Sequence, residues 1–154
     1  MADIRIATVD DAHAISRLVS SLTLSHVGPS LGGGGLDKLL DSMDVTSTRK
    51  RLNDGWPTFC ALQRRELVGV VVIRPPSHLF HLFVRSDVQG CGIGRALFEV
   101  ADKIANEVAG VPLATVNSSL NAILVYERLG FVPEGPIRDV EGVRFQPMVR
   151  STTG

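Results

Sequence analysis

The run Gln89-Gly90-Cys91-Gly92-Ile93-Gly94 stands between an apolar stretch, residues 79–84, and an amphipathic stretch, residues 95–108. A strand that turns on glycines into a helix is suited to hold phosphate. The helix N-terminus leaves backbone N–H groups unpaired, and its dipole favours an anion. Glycine lets the backbone approach a ligand closely and adopt positive φ. Six other side chains could carry chemistry. Tyr126 is the only tyrosine of the chain, and a phenol can donate a proton. His78 and His81 precede the glycine turn, and imidazole titrates near neutral pH. Asp37, Asp41 and Asp44 fall at helical spacing. They form either a solvated helix face or an attraction for a cationic partner.

Composition narrows what surrounds these residues. The 154 residues suit one domain, 1–154, with a core of its own. Sixteen basic residues balance sixteen acidic ones, so there is no basic footprint for nucleic acid. No apolar run reaches the roughly 20 residues of a membrane span. The first residues lack the apolar core of a signal peptide. Cys60 and Cys91 have no metal-ligand spacing and read as reduced thiols of a cytoplasmic protein. Four scattered histidines supply no zinc site, so no metal is expected.

The positioning elements follow from periodicity and punctuation. Ile4, Ile6 and Val9 mark a first strand, and Thr8 is placed to cap the helix carrying Ala12, Ile15, Leu18, Val19 and Leu22. Residues 28–35, with Pro29 and four consecutive glycines, read as a mobile loop, either a linker or a lid over a substrate. Leu36, Leu39, Leu40 and Met43 mark a second helix whose other face carries the three aspartates, and 46–53 a third. Residues 59–63 and 66–73 form a hairpin around Arg64-Arg65, stopped by Pro75-Pro76, and 78–84 is the next strand. A buried stripe from Ala96 to Val108 marks the helix after the glycine turn. Residues 113–116 are a short strand, Ser118 or Ser119 caps a helix through Tyr126, and Gly130 ends it. Residues 131–137 and 143–149 are the last strands. The order predicts an α/β fold. It is a central mixed sheet of six to seven strands with helices on both faces, and a parallel crossover around Gly92.

At this point the chain resembles the GNAT superfamily of N-acetyltransferases. Two motifs carry the resemblance. One is Leu82-Phe83-Val84 followed by Gln89-x-x-Gly92-x-Gly94; the other is Asn121-Ala122-x-x-x-Tyr126-Glu127-Arg128-Leu129-Gly130-Phe131. The resemblance implies acetyl-CoA as co-substrate, without a metal, and a small-molecule or peptide amine as acceptor. It implies that the strand ending at Val84 bulges and parts from the strand ending near Asn117. The pantetheine arm would then pair with backbone of Leu82 and Val84, beside Phe83. Backbone N–H groups of Gly90, Cys91, Gly92, Ile93, Gly94 and Arg95 would surround the pyrophosphate. The N–H of Val84 would serve the oxyanion, and Tyr126 would protonate the leaving thiolate. The family often dimerises, so a homodimer is admitted.

Two positions depart from the family pattern. The asparagine that some members carry seven residues before the tyrosine is Ser119 here, leaving its contact to Ser119 or Asn117. The glutamate base that some carry twelve residues before it is Ala114. The base is then His78, His81 or water. Strand alternation sends the two histidines to opposite faces unless a bulge falls between them. Two rival functions are weighed. A catalytically silent acyl-CoA-binding regulator of the same fold would bind without turnover. A different nucleotide binder would need the Lys-Ser/Thr of a P-loop or the acidic residue after a Rossmann loop, and the chain has neither.

Overall fold

The computed structural model describes residues 2–27 and 34–151. The segment 28–33, most of the expected loop, lies outside the described residues. The order is β1 (Asp3–Ile6), α1 (Ala12–Leu22), α2 (Gly35–Asp41), α3 (Val45–Asn53), β2 (Thr58–Gln63), β3 (Glu66–Arg74) and β4 (His78–Val84). Then come α4 (Ile93–Ala109), β5 (Thr115–Ser118), α5 (Ile123–Arg128), β6 (Phe131–Pro133), β7 (Arg138–Val140) and β8 (Val143–Arg150). The strands lie in the order β1-β2-β3-β4-β5-β8-β6, with β7 on β8. Eight strands form among the described residues where six or seven were expected, because the expected strand 131–137 shortens to β6 and a further strand, β7, follows it. Among the described residues only β4 and β5 run parallel; the other pairs are antiparallel.

The strand β3 reads as an almost unbroken apolar run because both of its faces are covered. Val71 and Ile73 join the core under α4, with Leu97, Phe98 and Ala101. Val70 and Val72 join a second core under α1, with Ile15, Val19 and Cys60. Gly69 is needed for the first of these. A Cβ there would lie 2.9 Å from Leu97 Cδ1 and 3.2 Å from the Phe83 carbonyl. Burying a side chain such as Leu97 contributes about 1.5–3 kcal/mol.

The β2–β3 turn places Arg64 at φ 50° and Arg65 at φ 68°, the signature of a type I′ hairpin turn. At the start of the first helix Thr8 is the N-cap, in a capping box closed by Asp11. Its carboxylate accepts from Thr8 N at 2.8 Å and forms a two-pronged pair with Arg5 at 2.8 and 2.9 Å. Strand β5 starts two residues later than expected. The Leu113 N–H instead donates to Asp102 Oδ1 at 2.8 Å, so that buried leucine packs without joining the sheet. The same carboxylate receives Arg150, whose guanidinium lies over the Phe98 and Phe131 rings. This network ties the last strand to α4.

Neither Ser118 nor Ser119 caps α5 through its side chain. Ser118 Oγ donates to the Ser119 carbonyl at 2.7 Å, and Ser119 Oγ donates to Asn121 Oδ1 at 2.8 Å. Gly130 follows the helix at φ 100°, as a C-terminal glycine should. The three aspartates do not share one helix. Helix α2 ends at Asp41, and Asp44 is the N-cap of α3, accepting from Ser47 N at 2.7 Å. That capping bond holds the Asp44 carboxyl below its ordinary range.

Candidate active site

Strands β4 and β5 are paired at His78–Thr115 and Leu79–Val116, and their pairing ends there. Beyond that point Asn117 and Ser118 bond only to β8, while β4 stays on β3 through Val84. The parting has a visible cause. Ile73 opposes Leu79 and Val72 opposes His81, so Phe80 is an extra residue in β4. A bulge of this kind bends a strand away from its neighbour. Phe80 is held by edge-on contact with Trp56 at 5.1 Å and by Arg51 over its ring at 5.0 Å.

The bulge also decides where the histidines point. His78 opposes Arg74 and His81 opposes Val72. Arg74 and Val72 share a face, so both histidines lie on it, against the simple alternation that separates them. Each lines the opening. His78 Nδ1 lies 2.8 Å from Thr115 Oγ1. His81 Nδ1 donates to the Phe80 carbonyl at 3.0 Å, which leaves its buried Nε2 as a lone pair with no partner among the described residues. Burial and Arg74 push the His78 imidazole down to about 4. Burial and Arg51 push His81 to about 3. Both rings are neutral at physiological pH.

The opening is a cleft of about 900 Å³. One wall is an unpaired strand edge. Arg85 N donates to Val68 O at 2.7 Å, with Gly69 opposite Val84. Bonded residues alternate along an antiparallel pair. Phe83 and Arg85 therefore bond to β3, whereas Leu82 and Val84 direct their N–H and C=O towards the parted β5. The side chain of Gln89 reaches back and donates to the Val84 carbonyl at 2.9 Å, bracing the turn from inside.

The N-terminus of α4 opens at the mouth of this cleft. Gly92 is the N-cap at φ 83°, and Gly90 has the same φ. The first bond of the helix runs from Ala96 N to Gly92 O at 3.0 Å. The N–H groups of Ile93, Gly94 and Arg95 thus have no partner inside the helix. Gly90, Gly92, Ile93, Gly94 and Arg95 all line the cleft; Cys91 is exposed and does not. An extended edge followed by unpaired amides at a helix start fits a ligand with an extended polar arm and an anionic group.

Tyr126 stands in the facing wall, on α5, with Asn117 and Ser119. Only 8% of it is exposed. Its ring meets Phe131 edge-on at 6.0 Å and 84°, and burial raises the phenol to about 12. The structure also brings in residues that sequence reasoning missed. Arg128 lies beside the glycine turn, its carbonyl accepting from the Arg95 guanidinium at 3.2 Å. Leu39, Met43, Arg74 and Phe145 line the other end. They come from α2, the turn after it, β3 and β8, and nothing in their local sequence marks them. None of Asp37, Asp41 and Asp44 lines the cleft, so the cationic attraction drawn from them is not supported by their position.

A family model described as an acetyltransferase (GNAT) domain matches residues 27–152. The chain belongs to the GNAT acetyltransferase family. Solved structures of that fold agree with it over nearly the whole length. A GCN5-related N-acetyltransferase from Rhodopseudomonas palustris has a TM-score of 0.81 at 20% identity, covering 98% of this chain and 96% of its own. The PaiA N-acetyltransferase of Thermoplasma acidophilum, solved with coenzyme A, has 0.73 at 14%, covering 98% and 99%. Apo YjaB of Escherichia coli has 0.71 at 20%, covering 100% and 99%. At these identities the likeness is one of fold. No curated protein sequence matches the chain. Family membership supports acetyl transfer as the general activity. Among the described residues no group of three or more His, Cys, Asp or Glu could hold a metal, and no helix is long and apolar enough to cross a membrane.

Proposed function

We propose that the protein transfers the acetyl group of acetyl-CoA to an amine by direct attack. The observation that carries this reading is the parting of β4 from β5 beyond Leu79, with the edge of Leu82 and Val84 on one side and Tyr126 on the other. The CoA complex of the Thermoplasma relative has the same fold and supports the choice of donor. When bound, acetyl-CoA supplies a thioester whose carbonyl is open to a neutral amine. The residues of the chain then do three things. The N–H of Val84, turned into the cleft, stabilises the oxyanion. The unpaired amides at the start of α4 hold the pyrophosphate. Tyr126 donates a hydrogen to the departing sulfur.

The base is the remaining role. A base that takes a proton from an ammonium near pH 8 is poorly served by an imidazole pushed to about 4 or about 3. The amine is therefore expected to give up its proton to solvent water before it binds and to enter the cleft neutral, with His78 the alternative among the side chains, since His81 is enclosed. The test is acetyl-CoA turnover, followed as thiol release with a panel of amines, for wild type, His78→Ala and His81→Ala across pH. The expected kcat/KM falls on the acid side with the pKa of the amine, near 8, in all three. A histidine base must be neutral to act, so it would set a limb near 4, active above and lost below. Loss of rate and of such a limb in His78→Ala would replace water by His78. Tight acetyl-CoA binding with no turnover of any amine would favour the silent binder instead.

A further inference from the structure

We propose that the acceptor is an amine carrying a carboxylate beside an apolar side chain, and that Arg74 binds the carboxylate. This rests on the acetyl-transfer reading above and names the substrate class for it. Among the described residues lining the cleft, four are arginines and none is Asp or Glu. A pocket with only cations repels a polyamine or any acceptor with a second positive charge. Two of the arginines lie beside the glycine turn: Arg95 of α4 donates from its guanidinium to the carbonyl of Arg128 of α5 at 3.2 Å. Arg74 is elsewhere. It ends β3, opposite His78, on the face that also carries His81 and close to the point where β4 and β5 are still paired.

The side chain of Arg74 is exposed to the cleft. The ion pairs of the described residues engage Arg5, Lys38, Lys50, Arg85 and Arg150, and not Arg74. A guanidinium held at the wall of a cleft without a carboxylate of its own is a receptor for one, by charge-assisted hydrogen bonds. Leu39, Met43, Phe80, Phe83 and Phe145 line the same cleft and supply apolar surface for a hydrocarbon side chain. The surroundings also serve the reaction. Burial and positive groups around the acceptor disfavour the ammonium and favour the neutral amine that must attack, and the His78 imidazole is lowered by the same two causes, burial first and Arg74 second.

The test compares phenylalanine, phenylalaninamide and phenethylamine as acceptors, in wild type, Arg74→Gln and Arg74→Lys. The expected kcat/KM for the amino acid exceeds that for its amide at least about tenfold, carried mainly by KM, the scale of one charge-assisted contact. Arg74→Gln should bring the two within about threefold, and Arg74→Lys should keep part of the gap. An amide or plain amine that is acetylated as well as the acid would overturn the carboxylate subsite and leave acetyl transfer standing. A second arm needs no turnover: calorimetry of N-acetylphenylalanine and its amide on the CoA-loaded protein. If no amine is acetylated, the transfer reading falls. Tighter binding of the N-acetyl acid, lost in Arg74→Gln, then still supports the subsite. Equal or absent binding rejects it.

Discussion

Tyr126→Phe should lower kcat by about 10²-fold or more, the usual scale for losing one general acid, with the fold intact. The substitution keeps the ring, so the edge contact to Phe131 and the burial are retained. It removes only the hydroxyl. The direction of the pKa shift bears on what that hydroxyl does. A phenol raised to about 12 stays protonated over the whole working range, so Tyr126 should add no alkaline limb to the rate profile below about pH 10. A free thiol titrates near 8.5, and transfer from such a phenol to a solvated thiolate runs uphill by roughly 3.5 pH units. A thiolate forming inside the same dry wall is different. Burial raises the Cys60 thiol of this protein to about 12, and a leaving sulfur desolvated to that degree matches the phenol. The role of Tyr126 therefore depends on the cleft being closed to water around the sulfur. Single-turnover acetylation isolates the chemical step. A Tyr126→Phe rate within about twofold of wild type would reduce Tyr126 to a packing residue.

Much of the frame that holds this tyrosine is legible in the chain. The strand His78–Val84 has the bounds read from its apolar run and the prolines before it. The Arg64-Arg65 turn and the helix after Gly92 follow from punctuation and periodicity. What escapes is whatever depends on a neighbour. In His78-Leu79-Phe80-His81 no residue type marks the extra position, because Phe80 is as suitable for a regular strand as for a bulge. The bulge is a property of the β3–β4 register. Its consequence, two histidines on one face, reverses what alternation alone gives. In the same way Leu113 looks like a strand residue by hydrophobicity, yet a carboxylate eleven residues earlier takes its N–H. Helix spacing put Asp37, Asp41 and Asp44 together, and an N-cap separates the last from the others.

The candidate site divides along the same line. Its donor half is built from contiguous motifs, since a strand edge, a glycine turn and a helix start follow one another in sequence. Its acceptor half is assembled from the ends of β3, α2 and β8. Arg74 sits two residues beyond Val72 in an apolar strand and looks like a simple strand terminus. Its register opposite His78, on the face that carries both histidines, is what brings it to the cleft. The cationic character of the pocket is invisible to composition, because sixteen basic and sixteen acidic residues balance over the whole chain.

Gly92→Val should weaken acetyl-CoA binding by at least about 10- to 100-fold, or roughly 1.4–2.8 kcal/mol. Two effects must be separated to read this result. Gly92 has φ 83°, a left-handed conformation that costs an L residue about 1–2 kcal/mol, more for a β-branched one. The variant therefore loses stability whatever it binds. A Cβ at Gly92 meets nothing within 4 Å, so the added side chain does not clash with the protein. It projects instead beside the unpaired amides of α4, where it blocks the approach of an anion. Gly110, at the other end of the same helix, supplies the matched control. Its φ is 73° and a Cβ there also meets open space, but it does not line the cleft. Gly110→Val should lose comparable stability in urea and keep its affinity for acetyl-CoA. Gly94→Ala is a milder probe of the same loop, since its Cβ would touch Val84 Cγ2 at an ordinary 3.6 Å. Calorimetry on the folded variants decides between the effects. Equal losses of affinity in Gly92→Val and Gly110→Val would trace the defect to helix strain. An unchanged Kd in folded Gly92→Val would remove the glycine turn from the binding site altogether.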